Sequence, residues 1–103
     1  MKNIVILGAT GSIGEQAVDI LSRFPDRFRI QALSAQGNRI DRFIDQIQRV
    51  GPEVVHVMEP GAAQRLKSAL SHTTVRILTG PDHLEALARG QSVETDTVLS
   101  AIS

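Results

Sequence analysis

The sequence predicts an α/β fold: a doubly wound sheet of about five parallel strands, truncated after the fifth. Three observations carry this expectation. Short apolar runs alternate with segments of helical period along all 103 residues. The units recur at about 20–25 residues, as strand–helix steps of a parallel sheet do. The first run, Asn3–Leu7, is continuously apolar, which suits a strand covered on both faces.

Asn3–Leu7 is the first such run. From Gly11 to Phe24 the period lengthens, and Ile13, Ala17, Ile20, Leu21 and Phe24 fall on one helical face. Pro25-Asp26 breaks that helix. Phe28–Ala35 is the second strand. Arg39–Val50 is helical, with Ile40, Phe43, Ile44, Ile47 and Val50 on one stripe, and Gly51-Pro52 ends it. Glu53–Met58 is a strand, and Pro60–Ser71 a helix with proline in its first turn. Thr74–Leu78 is a strand, Asp82–Arg89 a short helix closed by Gly90, and Asp96–Ile102 a fifth strand. Crossovers between parallel strands should be right-handed. The last strand is apolar and the chain stops one residue beyond it. The expectation is therefore one partial domain, residues 1–103, cut from a longer protein, with a natural minimal domain as the alternative.

Composition excludes several functions. Eleven basic residues balance eleven acidic ones, and three Phe are the only aromatics. Neither a nucleic-acid nor a membrane partner is indicated. No apolar stretch approaches the roughly 20 residues needed to span a bilayer, and Ile4–Leu7 is too short for a signal-peptide core. Without cysteine, disulfides, thiolate catalysis and zinc–sulfur sites are ruled out, and a cytoplasmic location is expected.

The chemistry-bearing motif is Gly8-Ala9-Thr10-Gly11-Ser12-Ile13-Gly14, where the first strand turns into the first helix. Gly8 permits the tight turn. Gly11 lets a pyrophosphate approach the backbone, and Gly14 lets the helix pack closely on the strand. The free amides and dipole of the helix N-terminus favour an anion. Thr10 and Ser12 add hydroxyls, and Ser12 with Glu15 fits a capping box. This is the setting that gives a triple-glycine pattern its meaning as a Rossmann-like dinucleotide site.

The end of the second strand bears on which dinucleotide binds. An NAD site places a carboxylate there for the ribose 2′-hydroxyl. Here the chain reads Leu33-Ser34-Ala35-Gln36-Gly37-Asn38-Arg39, with no acid between Arg29 and Asp41. Ser34 and Asn38 can hydrogen-bond a 2′-phosphate and Arg39 can pair with it, so NADPH is favoured over NADH. Arg39 also reads as a solvated residue opening the next helix, and Asn38 as that helix's N-cap. His56, His72 and His83 are scattered without metal-ligand spacing. Glu15 and Asp19 read as the exposed side of the first helix. A P-loop lysine is missing, and so is the acid of a phospho-receiver. No catalytic residue and no metal site is expected within the chain.

Lys2-Asn3-Ile4-Val5-Ile6-Leu7-Gly8-Ala9-Thr10-Gly11-Ser12-Ile13-Gly14 resembles the opening of the 1-deoxy-D-xylulose 5-phosphate reductoisomerases, whose loop is typically Gly-Ser/Ala-Thr-Gly-Ser-Ile-Gly. The resemblance continues through Pro25–Ile30, Ala32-Leu33-Ser34-Ala35 and Asn38 to Ser100-Ala101-Ile102, and covers about the first quarter of a family member. It implies an NADPH-binding domain of a homodimeric enzyme of non-mevalonate isoprenoid synthesis. Such an enzyme rearranges 1-deoxy-D-xylulose 5-phosphate, a small phosphorylated sugar, and reduces the product with NADPH to 2-C-methyl-D-erythritol 4-phosphate. It further implies that Thr10, Gly11, Ser12 and Ile13 surround the pyrophosphate and adenosine side. Gly37 and Asn38 would lie by the 2′-phosphate, and Ala101 on the path to the nicotinamide ribose. The family's Mg²⁺ or Mn²⁺ ligands lie beyond Ser103, so the fragment alone is expected to be inactive. One departure stands out: the family has glycine where this chain has Gln36, with glycine shifted to Gly37. The alternatives are another oxidoreductase with a Gly-x-Thr-Gly loop, such as an extended short-chain or a semialdehyde dehydrogenase, and a non-catalytic NADP(H) sensor.

Overall fold

The computed structural model describes residues 1–90 and 95–102. Nine elements follow in strict alternation: β1 (Lys2–Leu7), α1 (Ser12–Ser22), β2 (Phe28–Ala35), α2 (Ile40–Val50), β3 (Val54–Val57), α3 (Pro60–Ala69), β4 (Arg76–Thr79), α4 (Pro81–Ala88) and β5 (Thr97–Ser100). All five strands are parallel, in the order β4-β3-β2-β1-β5. The α/β class and the strand number agree with the sequence. Boundaries move by up to two residues at most ends, and β2 falls where the apolar run placed it.

The strand order decides where the helices go. From β1 to β4 each step moves the same way across the sheet, so right-handed crossovers stack α1, α2 and α3 on one face. There Val18, Phe43, Ile47 and Leu66 pack with Ile4, Ile6, Leu33, Val55 and Val57. The step from β4 to β5 runs back across the whole sheet and delivers α4 to the other face. Leu87 of α4, with Leu84 partly buried, covers Val5, Leu7, Ala32 and Val54 there. The direction of winding therefore reverses between β1 and β5: the helix that leaves β1 lies on one face and the helix that leads into β5 on the other, and such sheets bind ligands outside the carboxyl ends of the strands at that reversal.

Local signals explain the element ends. Gly51 closes α2 with a left-handed φ of 69° and its amide bonded to the Ile47 carbonyl, as the Gly-Pro pair predicts. Gly90 follows α4 with φ 70°. Two expectations for α1 fail. Ile13, Ile20 and Phe24 are 66%, 53% and 46% exposed. The face that packs is instead Gly14, Ala17, Val18 and Leu21, because a helix held this close to the sheet admits only small residues at its first turn. The Ser12–Glu15 capping box does not form: Gly11 is the N-cap, without a side-chain cap bond. Glu15 turns instead to Arg42 of α2 at 2.5 Å, and Asp19 to Arg49 at 3.0 Å. These exposed pairs contribute about 0–1 kcal/mol each. No described helix is long and apolar enough to cross a membrane.

Candidate functional site

The glycine loop is held from three sides. The Gly8 and Ala9 amides both donate to the Ser34 carbonyl at 2.9 Å. The Ala101 amide donates to the Leu7 carbonyl at 2.9 Å, tying β5 to the start of the loop. Gly8 has φ 79°, and a Cβ there would lie 3.1 Å from the Ala101 carbonyl carbon, so the turn needs glycine both for its dihedral and for space. A Cβ on Gly14 would stand 1.9 Å from the Gly8 carbonyl oxygen, so this glycine is demanded by the fold itself. Gly11 differs. Its φ is −73°, and a Cβ would meet only the Gly8 oxygen at 3.6 Å. The fold accepts a side chain at Gly11; a ligand lying against it would not.

The loop's carbonyls are all engaged by protein donors. Gly8 O accepts from the Gly11 amide at 3.3 Å, Ala9 O from Gln46 Nε2 at 2.8 Å, and Thr10 O from Arg39 Nη1 at 3.0 Å. Their negative ends are thus partly neutralised next to the helix N-terminus. The Glu15 amide is satisfied by the Gly11 carbonyl at 2.8 Å; those of Ser12, Ile13 and Gly14 precede the intrahelical ladder. This electrostatic arrangement suits an anion.

A cleft of about 330 Å³ opens beside the loop, lined by residues from four strand ends and α4. It brings together Gly8, Thr10, Gly11, Asn38, Arg39 and Ala101 of the expected site residues, with Ser34 and Gln36. Ser12, Ile13 and Gly37 are not on its wall. Ser12 and Ile13 are exposed on the outer side of the helix start. Gly37, with φ 113°, packs against Ala62 and Glu59 instead. None of the described lining residues is acidic, and Arg39 carries a full positive charge. Asn38 is not the N-cap of α2; that position is Arg39, again without a side-chain cap. Arg39 is more than a solvated helix opener, since its guanidinium bridges to the glycine loop.

Four cleft residues escaped the sequence reading as site residues: Ala35, Met58, Leu84 and Ile102. Met58 had a usable signal, because it follows β3 at the carboxyl edge where ligands bind. Leu84 did not, since only the crossover to the second face brings α4 there. Gln46, in the middle of α2, gave no hint that it anchors Ala9.

His56 also emerges as a connector. It is fully buried in β3 and paired in register with Ser34. Its Nδ1 lies 3.0 Å from Ser34 Oγ and its Nε2 2.7 Å from the Gly80 carbonyl. Burial pushes its pKa below the usual 6.5, opposed by the Gly80 bond and aided by the nearby His83. The Ser34 hydroxyl, expected to serve a 2′-phosphate, is thus already engaged by a neighbour. His72 follows α3, and His83 lies in the first turn of α4 with Nδ1 2.9 Å from the Thr79 carbonyl. Among the described residues no group of three His, Cys, Asp or Glu is placed to hold a metal ion.

A family profile described as 1-deoxy-D-xylulose 5-phosphate reductoisomerase matches residues 4–103. The chain belongs to this family. The reductoisomerase of Methylococcus capsulatus is 42% identical over 105 residues, covering 99% of this chain and 26% of its own. That of Anaeromyxobacter sp. strain K is 41% identical over 103 residues, covering 100% of this chain and 25% of its own. The solved reductoisomerase from Zymomonas mobilis in complex with NADPH superposes with a TM-score of 0.84 at 31% identity, covering 98% of this chain and 26% of that one. A reductoisomerase in complex with NADPH, fosmidomycin and magnesium gives 0.86 at 31% identity, over 99% of this chain and 24% of that one. The chain thus spans about a quarter of the length of the reductoisomerases it matches.

Proposed function

We propose that residues 1–103 form the NADPH-binding part of a 1-deoxy-D-xylulose 5-phosphate reductoisomerase. The observation that carries this is the acid-free cleft at the winding switch, walled by a glycine loop whose carbonyls are all engaged and whose Gly11 is free of any demand from the fold. The donor set fits a phosphorylated dinucleotide. The helix-start amides at Ser12 and Ile13, next to Thr10 and Gly11, hold the pyrophosphate. Arg39 and Asn38, with the Gly37 turn, hold the 2′-phosphate, and Arg39 keeps spare guanidinium donors beyond its bond to Thr10. Ala101, tied to β1, borders the path toward the nicotinamide ribose.

When bound, the nicotinamide supplies the hydride; the chain's residues bind and orient the cofactor. In a full-length enzyme the activity is the isomerisation of 1-deoxy-D-xylulose 5-phosphate and its NADPH-dependent reduction to 2-C-methyl-D-erythritol 4-phosphate. The substrate-binding residues, the Mg²⁺ or Mn²⁺ ligands and the homodimer contacts belong to the rest of such an enzyme. A chain without cysteine suits the reducing cytoplasm, where we place it.

Calorimetric titration of the chain with NADPH and NADH tests the assignment. NADPH should bind more tightly. Arg39→Ala should narrow the preference by tenfold or more, since a hydrogen bond to a charged group contributes about 1.5–3 kcal/mol, and Gly11→Val should abolish binding of both. Equal or tighter binding of NADH by the wild type would refute the 2′-phosphate assignment.

A further inference from the structure

We infer that His56 fixes the Ser34 hydroxyl as a hydrogen-bond acceptor in the cleft, making Ser34 a subsite for the adenosine ribose 3′-hydroxyl and not for the 2′-phosphate. The inference rests on the NADPH reading and assigns a role that the glycine loop does not imply.

The direction of each hydrogen bond follows from its far end. The Gly80 carbonyl can only accept, and it lies 2.7 Å from His56 Nε2, so Nε2 carries the ring proton. Burial keeps the imidazole neutral near pH 7, which leaves Nδ1 with a lone pair. Ser34 Oγ, 3.0 Å away, must then donate its single proton to Nδ1. What the oxygen retains is its two lone pairs.

Placement turns this into a statement about ligands. Leu33 and Ala35 face the core under α1–α3. Ser34 lies between them on the opposite face, the side covered by α4, and both Ser34 and Leu84 of α4 line the cleft. The Ser34 carbonyl is occupied by the Gly8 and Ala9 amides, so its main chain is fixed from one side and its hydroxyl from the other. The end of the second strand is where an NAD site puts a carboxylate to accept from a ribose hydroxyl. Ser34 offers the same acceptor character without the charge. Phosphate oxygens, themselves acceptors, gain nothing from an oxygen whose proton points away. A free ribose hydroxyl does, and with the 2′ position phosphorylated the 3′-hydroxyl is the one available. Ser34 thus adds affinity, while discrimination stays with Arg39 and Asn38.

A ligand–protein cycle tests this. Wild type and Ser34→Ala are titrated with NADPH and with its adenosine 3′-deoxy analogue, and the His56 ring protonation is read from long-range ¹H–¹⁵N correlation spectra. The wild type should bind the analogue about 3- to 10-fold more weakly than NADPH, as one neutral hydrogen bond requires. In Ser34→Ala that difference should vanish. A loss caused by a merely loosened loop would leave the 3′-deoxy penalty intact. The spectrum should show the proton on Nε2. A wild type that binds NADPH but shows no 3′-deoxy penalty, a penalty unchanged in Ser34→Ala, or a proton on Nδ1 each overturns the subsite alone. Failure of the wild type to bind NADPH overturns the parent reading, and the subsite with it.

Discussion

Replacing Gly14 with alanine should cost the protein much of its stability without touching any ligand contact. A Cβ built there lies 1.9 Å from Gly8 O, 2.8 Å from Gly8 C and 2.9 Å from Ala9 Cα. A carbon–oxygen contact settles near 3.3 Å or more, so the loop and helix must separate by roughly 1.4 Å. Every atom in the way is backbone, and that backbone is pinned through two amides to Ser34 and through Ala9 O to Gln46. Overpacking of this kind costs about 1–3 kcal/mol, and occasionally more. Each buried loop hydrogen bond broken to relieve it costs about 1–3 kcal/mol again. The better helix propensity of alanine returns at most about 1 kcal/mol. The net loss is about 2–4 kcal/mol, a large share of a domain's usual 5–15 kcal/mol. In a chain of this size the melting temperature should drop by roughly 10–30 °C. Urea denaturation followed by circular dichroism measures it. Gly11→Ala is the internal control, since its φ is already helix-compatible and its Cβ has room. It should cost about 1 kcal/mol or less, yet weaken the cofactor. A Gly14→Ala protein as stable as the wild type would refute the close-approach reasoning.

Two further outcomes follow from the same geometry. Gly37→Ala should destabilise by about 1–3 kcal/mol, because φ is 113° and the new methyl would lie 3.0 Å from Ala62 Cβ; an unchanged urea midpoint would show that the turn relaxes. Stability should also depend on His56: its folded pKa lies below the unfolded 6.5, so between those values the unfolded chain holds the extra proton. Its contribution is therefore complete above pH 6.5 and is lost as pH falls from there toward the folded value, with a slope of up to about 1.4 kcal/mol per pH unit. Urea midpoints measured between about pH 7.5 and 5.5 should show that slope in the wild type and lose it in His56→Gln.

Much of this protein can be read from its sequence alone, because the signals are local. Period changes mark each strand and helix, Gly51 and Gly90 mark helix ends by the left-handed φ they alone adopt cheaply, and the three loop glycines announce a close approach of backbone to backbone and backbone to anion. What stayed hidden depends on neighbours distant in the chain. On α1 two apolar stripes compete, and only the closeness imposed by Gly14 selects the small-residue face over Ile13, Ile20 and Phe24. Glu15 leaves its expected cap because Arg42, far along the chain, offers a full charge. Strand order and the reversal after β4 bring Ala101, Leu84 and Arg39 to one cleft. The links from Ser34 to His56, Thr10 to Arg39 and Ala9 to Gln46 cross 22, 29 and 37 positions of chain. Such contacts exist only once parallel register aligns the strand ends, so residue identity determined the elements and the loop, and tertiary packing decided which side chains would face a ligand.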